Sequence, residues 1–174
     1  MFMDPVQTLA ALHLQSTNTV ADFGAGSGMV AALTAALVPH GQVFAIEINK
    51  DQVTRITRDA LDKKLPNLHA LWGDIETNEG TKLANESVDV VLVFNVLFLL
   101  DDKVAMLKEA YRVLKLGGKI AVVDWTESFG GLGPKPHHIF TQVMSETVLN
   151  SVGFKKIADA LPSGDHHYAI LFSK

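Results

Sequence analysis

Val20-Ala21-Asp22-Phe23-Gly24-Ala25-Gly26-Ser27-Gly28 is an apolar run that ends in a carboxylate, passes through three alternating glycines and opens into an alanine-rich segment. A strand, a tight turn and a helix are expected in that order, because glycine alone takes positive φ without steric cost and lets backbone approach a ligand closely. The glycine spacing bears on which ligand. A dinucleotide fingerprint is G-x-G-x-x-G, with a pyrophosphate at the helix N-terminus; here the slot of its third glycine holds Met29. Asp22, two residues before Gly24, would repel a doubly negative pyrophosphate in a half-buried cleft. It suits a ligand that carries cationic groups.

Downstream, strands and helices alternate, the pattern of a parallel sheet with helices on both sides. An opening helix is expected over Pro5 to Leu14, then strands at Thr19 to Phe23, Val43 to Glu47, Leu68 to Trp72, Val88 to Phe94 and Lys119 to Trp125. Helices are expected over Met29 to Val38, Lys50 to Lys63, Asp101 to Leu114 and Thr141 to Val152. Glu76 to Ser87 is polar and turn-rich, with room for one short helix, and Phe129 to Pro136 is a glycine- and proline-rich loop. Two final strands, Lys155 to Ala160 and Tyr168 to Phe172, are joined by too few residues for a crossover helix and should form an antiparallel hairpin. The expected class is therefore α/β: a Rossmann-like, doubly wound, seven-stranded and mostly parallel sheet that closes on an antiparallel hairpin.

The acids fall at strand ends. Glu47 ends the second strand about 20 residues beyond Gly28, where a carboxylate takes hydrogen bonds from ribose hydroxyls. Its alternative is a helix-start acid favoured by the macrodipole. Ile48 beside it would offer an apolar face to an adenine ring. Gly73-Asp74-Ile75 ends the third strand, and a Gly-Asp pair is also an ordinary turn.

Taken together, the glycine motif, Gly73-Asp74 and Arg112-Val113-Leu114-Lys115-Leu116-Gly117-Gly118 resemble the class I methyltransferases that use S-adenosylmethionine. Closest in style are the small enzymes related to ubiquinone/menaquinone-biosynthesis and arsenite-methylating methyltransferases; the proline usual after the lysine of the last motif is Leu116 here. The resemblance implies that Asp22, Gly24, Ala25, Gly26, Gly28, Glu47, Ile48, Gly73, Asp74, Ile75, Asn95 and Val96 bind the cofactor. In that family Asp74 would accept from the adenine amine and Ile75 would offer its amide to the ring. Asn95 would hold the cofactor's amino group where the methionine part and the acceptor meet, and S-adenosylhomocysteine would be the product.

Methyl transfer from a sulfonium needs alignment more than acid or base catalysis, so no dyad need be visible. The weak candidates for a catalytic group are Asn95, Asp124 at the end of the fifth strand, and His137-His138 beyond the long loop, histidine titrating near neutrality. Two adjacent loop histidines are equally ordinary as solvated side chains, and His166-His167, near the expected hairpin turn, is read as remote from the rim. Asn95-Val96-Leu97-Phe98 lacks both prolines of the motif used by many enzymes that methylate amide or base nitrogens. Phe98, Trp125 and Phe129 would make the rim apolar.

Composition narrows the classes further. The 174 residues, 48% hydrophobic and 20% charged, suit one domain over 1–174. The absence of cysteine removes disulfides, thiolate catalysis and cysteine-ligated metal, and no metal is expected from the paired histidines. A formal charge of −4 without a basic block disfavours a nucleic-acid partner. Val90 to Leu100 is interrupted by Asn95 and is far short of the ~20 apolar residues of a membrane span. The start shows neither the basic nor the apolar region of a signal peptide, so a cytoplasmic protein is expected. The acceptor is unidentified, whether small molecule or protein. With no lid segment the cleft should be open, to be closed by a large acceptor, by the opening helix and the Phe129 to Phe140 loop, or by a second subunit of a homodimer. Two other classes stay open: a non-catalytic S-adenosylmethionine-binding regulatory or partner domain, and an NAD-dependent oxidoreductase, which Met29 and Asp22 oppose.

Overall fold

A computed structural model describes residues 3–129, 131–158 and 161–174. Its strands are β1 (Thr19–Phe23), β2 (Gln42–Glu47), β3 (Leu68–Trp72), β4 (Val88–Phe94), β5 (Leu114–Trp125), β6 (Lys155–Ala158) and β7 (His167–Ser173). They form one seven-stranded sheet in the order β3-β2-β1-β4-β5-β7-β6. All pairings from β3 to β5 are parallel, and β7 runs antiparallel to both β5 and β6. The α/β sheet and its closing antiparallel strands are as expected.

Five helices cover the two faces: α1 (Pro5–Ala11), α2 (Met29–Leu37), α3 (Lys50–Asp62), α4 (Lys103–Val113) and α5 (Gln142–Val152). Side chains alternate across each strand, so Val20, Val43, Ala45, Leu92 and Val123 bury against α1, α2 and α3 through Leu9, Ala31, Ala35 and Ile56. Ala21, Phe23, Val91, Val93 and Val122 bury against α4 and α5 through Met106, Leu107, Ala110 and Leu149. Both faces of β4 are covered, and its near-continuous apolar run follows from that. Among the described residues no helix is long and apolar enough to cross a membrane.

Local chemistry sets the helix ends. Asp4, Asn49, Asp102 and Thr141 cap α1, α3, α4 and α5 by accepting from amides of the first turn. Helix α1 ends three residues earlier than expected: Leu12 closes it and His13 turns back at φ +50°. Strand β5 begins at Leu114, not Lys119, since Leu114 pairs with Val88 before the register shifts.

No helix forms in 76–87. The chain there winds through Glu79, Lys82 and Glu86 at positive φ because its polar groups are taken by a distant carboxylate. Glu109 of α4 accepts from the amides of Glu79 and Thr81 and from the Thr81 hydroxyl, while Arg112 closes the cluster with two contacts of 2.7 and 2.8 Å. The expected strand at Lys155 to Ala160 is seen as β6; residues 159 and 160 lie outside the described residues.

Burial works against the Glu109 charge, but Arg112 and the Thr81 and Glu79 donors outweigh it and hold the carboxyl down at about 2. A depressed carboxylate stabilises above its unfolded value and loses that contribution as pH falls from 4.5 through about 2. Glu109→Ala should therefore destabilise the fold by about 2 kcal/mol at neutral pH, since it leaves the Thr81 and Glu79 donors and the part-buried Arg112 guanidinium without their carboxylate. Chemical denaturation at pH 7 measures this, and the difference from the unmodified chain should shrink on acidification.

Candidate functional site

Strands β1 and β4 are neighbours, yet their following helices leave for opposite faces, so a crevice opens beyond their carboxyl ends. It encloses about 420 Å³, within the range of small-molecule sites. Its floor is the turn Gly24-Ala25-Gly26-Ser27, one wall runs from Ile46 through Ile48 to Gly73-Asp74-Ile75-Glu76, and the other is Phe94-Asn95-Val96 with Leu99 and Leu100. Met3, ahead of α1, closes one side.

The three glycines of the turn have distinct tasks. All have positive φ, at 71°, 53° and 77°. A Cβ on Gly24 would lie 2.9 Å from the Val96 side chain, and one on Gly28 would lie 2.7 Å from Ile56 of α3. Only Gly26 faces open space, its nearest neighbour for such an atom being the Gly24 carbonyl at 3.9 Å. Gly26 thus leaves room for a ligand, whereas Gly28, expected in the crevice, is buried at the start of α2 and packs α2 against α3.

Asp22 lies beneath this floor on the α2 side and is 2% exposed. Burial pushes its carboxyl up from 3.8 to about 7, a shift the Ala31 amide of α2 reduces and Glu47 increases. Its Oδ2 has no partner among the described residues, and neither has Oδ1 of Asn95 on the crevice wall. Asn95 is itself at φ +57°, an uncommon conformation for a residue other than glycine. Two buried acceptors without donors, at the ends of two adjacent strands, leave an unmet demand for hydrogen-bond donors.

Glu47 is part-buried and already tied to backbone, accepting from Gly26 and Asn49 at 2.8 Å each. Each of its oxygens keeps a further lone pair for a hydroxyl. Asp74 lines the crevice but also closes its own turn, through the Glu76 amide and the Thr77 hydroxyl, at 2.9 Å each. The turn at Gly73-Asp74 is tight, because a Cβ at Gly73 would come within 2.5 Å of the Gly80 carbonyl that closes the same turn. Ile48 is 61% exposed at the mouth.

The remaining candidates stand apart from the crevice. Asp124 does not reach the rim: the alternation of β5 turns it to the α4–α5 face, where it is fully buried. His137 and His138 form an exposed short turn, Pro136–His138, with their rings against each other. His166-His167 is not at the far end of the sheet, because β7 is antiparallel and His167 pairs with Trp125 at the carboxyl edge of β5. Trp125 packs on His167 and under Gly133, and Phe129 stacks on His166. The apolar lip is made instead by Met3, Leu99 and Leu100. Leu99 and Leu100 end the greasy run Val90 to Leu100, and that run was the available signal for them. Among the described residues no cluster of histidine and carboxylate groups has the arrangement of a metal site.

A family model described as a methyltransferase domain matches residues 21–122. This span covers β1 through most of β5, including the whole crevice floor. The chain belongs to the class I S-adenosylmethionine-dependent methyltransferase family. It is 34% identical over 120 residues to an arsenite methyltransferase of Homo sapiens, across 64% of this chain and 32% of that protein. To a ubiquinone/menaquinone biosynthesis C-methyltransferase of Xanthomonas campestris pv. campestris it is 31% identical over 121 residues, across 68% of this chain and 47% of that one. The chain thus spans about a third of the first relative and under half of the second. In fold, it is similar to a SAM dependent methyltransferase from Aquifex aeolicus, with a TM-score of 0.89 and 21% identity over 99% of this chain and 90% of that one.

The elevated Asp22 carboxyl makes the methyltransferase crevice a source of instability when no ligand is bound. A buried acid raised from 3.8 to about 7 favours folding while protonated, so stability falls as pH rises across that window and levels off above it. The full difference is about 4 kcal/mol. Asp22→Asn should therefore make the ligand-free protein unfold at a higher temperature than the unmodified chain at pH 8, with the gap closing toward pH 4. Calorimetric melts across that range measure it.

Proposed function

We propose that the crevice binds S-adenosylmethionine and that the chain transfers the methyl group by in-line displacement to an acceptor with an uncharged, apolar approach face. The observation that carries this reading is the pair of buried acceptors without donors, Asp22 Oδ2 and Asn95 Oδ1, which answer an ammonium group and a neighbouring positive charge. When bound, the cofactor would supply an electrophilic methyl carbon on a sulfonium, whose sulfur would leave with the carbon–sulfur electrons as the thioether of S-adenosylhomocysteine while any proton on the acceptor passed to solvent.

The chain's own residues would act by holding and orienting. Glu47 would receive the ribose hydroxyls on its unused lone pairs while its bond to Gly26 keeps the floor in shape. Ile48 and Ile75 would sandwich the adenine, with Asp74 toward its amine. Gly24, Ala25, Gly26, Asn95 and Val96 would surround the methionine part. Among the described residues no histidine and no basic side chain lines the crevice, which leaves alignment as the main contribution of the protein and disfavours acceptors that present a phosphate or carboxylate. The arsenite named for the human relative is not carried over: this chain contains no cysteine to offer a thiolate to a soft metalloid.

Isothermal titration with S-adenosylmethionine, S-adenosylhomocysteine and NADH tests the reading. The first two should bind in the micromolar range and the third should not. Glu47→Ala should cost about 1 to 3 kcal/mol of affinity, as for a hydrogen bond to a charged group. Affinity for S-adenosylmethionine should rise from pH 6 to pH 8 as Asp22 ionises, and most of that rise above pH 7 should be lost in Asp22→Asn. Preferential binding of NADH, or unchanged affinity in both variants, would overturn the assignment.

A further inference from the structure

Between Asn95 and Leu100 the chain leaves β4 and makes one 3-10 turn, Leu97–Leu99. The Asn95 amide still continues the sheet by donating to the Val123 carbonyl at 2.8 Å, and the turn closes through Leu99 to Val96 at 2.9 Å. That leaves the amides at the head of the turn without backbone acceptors. Asp124 supplies one from beneath. Its Oδ2 accepts from the Leu97 amide at 2.8 Å, its Oδ1 accepts from the Trp125 amide at 2.8 Å, and the Val96 and Phe98 amides also stabilise its charge.

Three successive amides around one carboxylate form an anion nest. Among the described residues no cation acts on it: the β7 residue Tyr168 spends its hydroxyl on the Phe140 carbonyl at 2.9 Å and on Ser145 of α5 at 2.6 Å. Lys103 at the start of α4 donates to the Leu100 carbonyl at the other end of the turn.

A fully buried charge without a counter-ion is costly. A neutral cap such as serine or threonine would satisfy a turn of this kind, so Asp124 calls for a reason beyond capping. The turn it holds supplies one. Asn95, Val96, Leu99 and Leu100 are crevice wall and lip, Leu97 is the buried pin between them, and Val96 is the side chain against which Gly24 is packed.

We propose that Asp124 is a positioning residue whose ionised carboxylate, through the amides of Val96, Leu97 and Phe98, fixes the crevice wall and lip and with them the floor at Gly24. This rests on the crevice being the cofactor site. Burial holds the carboxyl up at about 6, despite the amides that draw it down, so acidification below that point removes the charge and loosens the turn.

Two measurements test the proposal. In amide-resolved NMR of the unmodified, ligand-free chain, the Val96, Leu97 and Phe98 signals should shift together with a midpoint near pH 6. Constancy of all three between pH 4.5 and pH 8 would overturn the proposal whatever the ligand. In an Asp22→Asn background, which removes the other titrating acid, S-adenosylhomocysteine affinity should fall about tenfold as pH drops from 7.5 to 5. Adding Asp124→Asn should give affinity that is weak and flat across this range, with a melting temperature equal to or above that of the Asp22→Asn chain. Equal affinity and an unchanged pH profile in the double variant would overturn it. A chain that binds no S-adenosylhomocysteine at any pH but shows the amide titration would refute the cofactor assignment and leave the Asp124 nest standing.

Discussion

The whole arrangement depends on one consequence of strand order. Because β1 and β4 are hydrogen-bonded neighbours although two strands and two helices intervene in the chain, the helices that follow them cover opposite faces. That leaves a crevice above the sheet at that point, lined by residues at the carboxyl ends of β2 and β4 and just beyond β1 and β3. Asp22, Glu47, Asp74 and Asn95 lie within two residues of the carboxyl ends of β1, β2, β3 and β4. Their convergence is a property of parallel topology, since only parallel strands put all their carboxyl ends on one edge.

This explains which parts of the molecule were legible from sequence. Strands with both faces buried announce themselves as apolar runs, and a run followed by Gly, Asp or Asn marks its own carboxyl end. The fold and the places of Gly26, Glu47, Asp74 and Asn95 follow from that. What escaped depended on a partner far away in sequence. The 76–87 segment reads as polar and turn-rich, yet its path is set by Glu109, about 30 residues on. Gly28 reads as a ligand glycine, yet Ile56 of α3 decides its role. Asp124 reads as a rim acid; the alternation of β5 and the amides of the Leu97 turn send it inward instead. His166-His167 lies outside the crevice lining, yet on the same edge of the sheet, because β7 runs antiparallel to β5 and pairs His167 with Trp125.

The crevice also gathers several unfavourable features in one place. Positive φ at Gly24, Gly26, Gly28 and Asn95, an orphaned Asp22 oxygen and an orphaned Asn95 oxygen all cluster within a few residues of the β1 and β4 ends. Each is unfavourable in isolation. Away from the site the Glu109, Arg112 and Thr81 cluster matches its polar groups closely, although among the described residues Gln52 Oε1 and His167 Nε2 are also buried without partners.

That contrast bears on how such a site can work with so few functional side chains. If the reaction needs only that an electrophilic carbon be held on line, the protein's task is to stop backbone and ligand from moving, and stiffness must come from the surroundings. In the proposal above Asp124 would do this from under the Leu97 turn, and Val96 against Gly24 would carry it to the glycine floor, beneath which Asp22 is buried on the opposite face of the sheet. Neutral replacements would relieve burial at either position. Keeping two ionisable groups there makes sense where a ligand, once bound, supplies what the empty crevice lacks, so that the energy stored in the free protein is released on binding and the order it enforces is present at the moment of transfer.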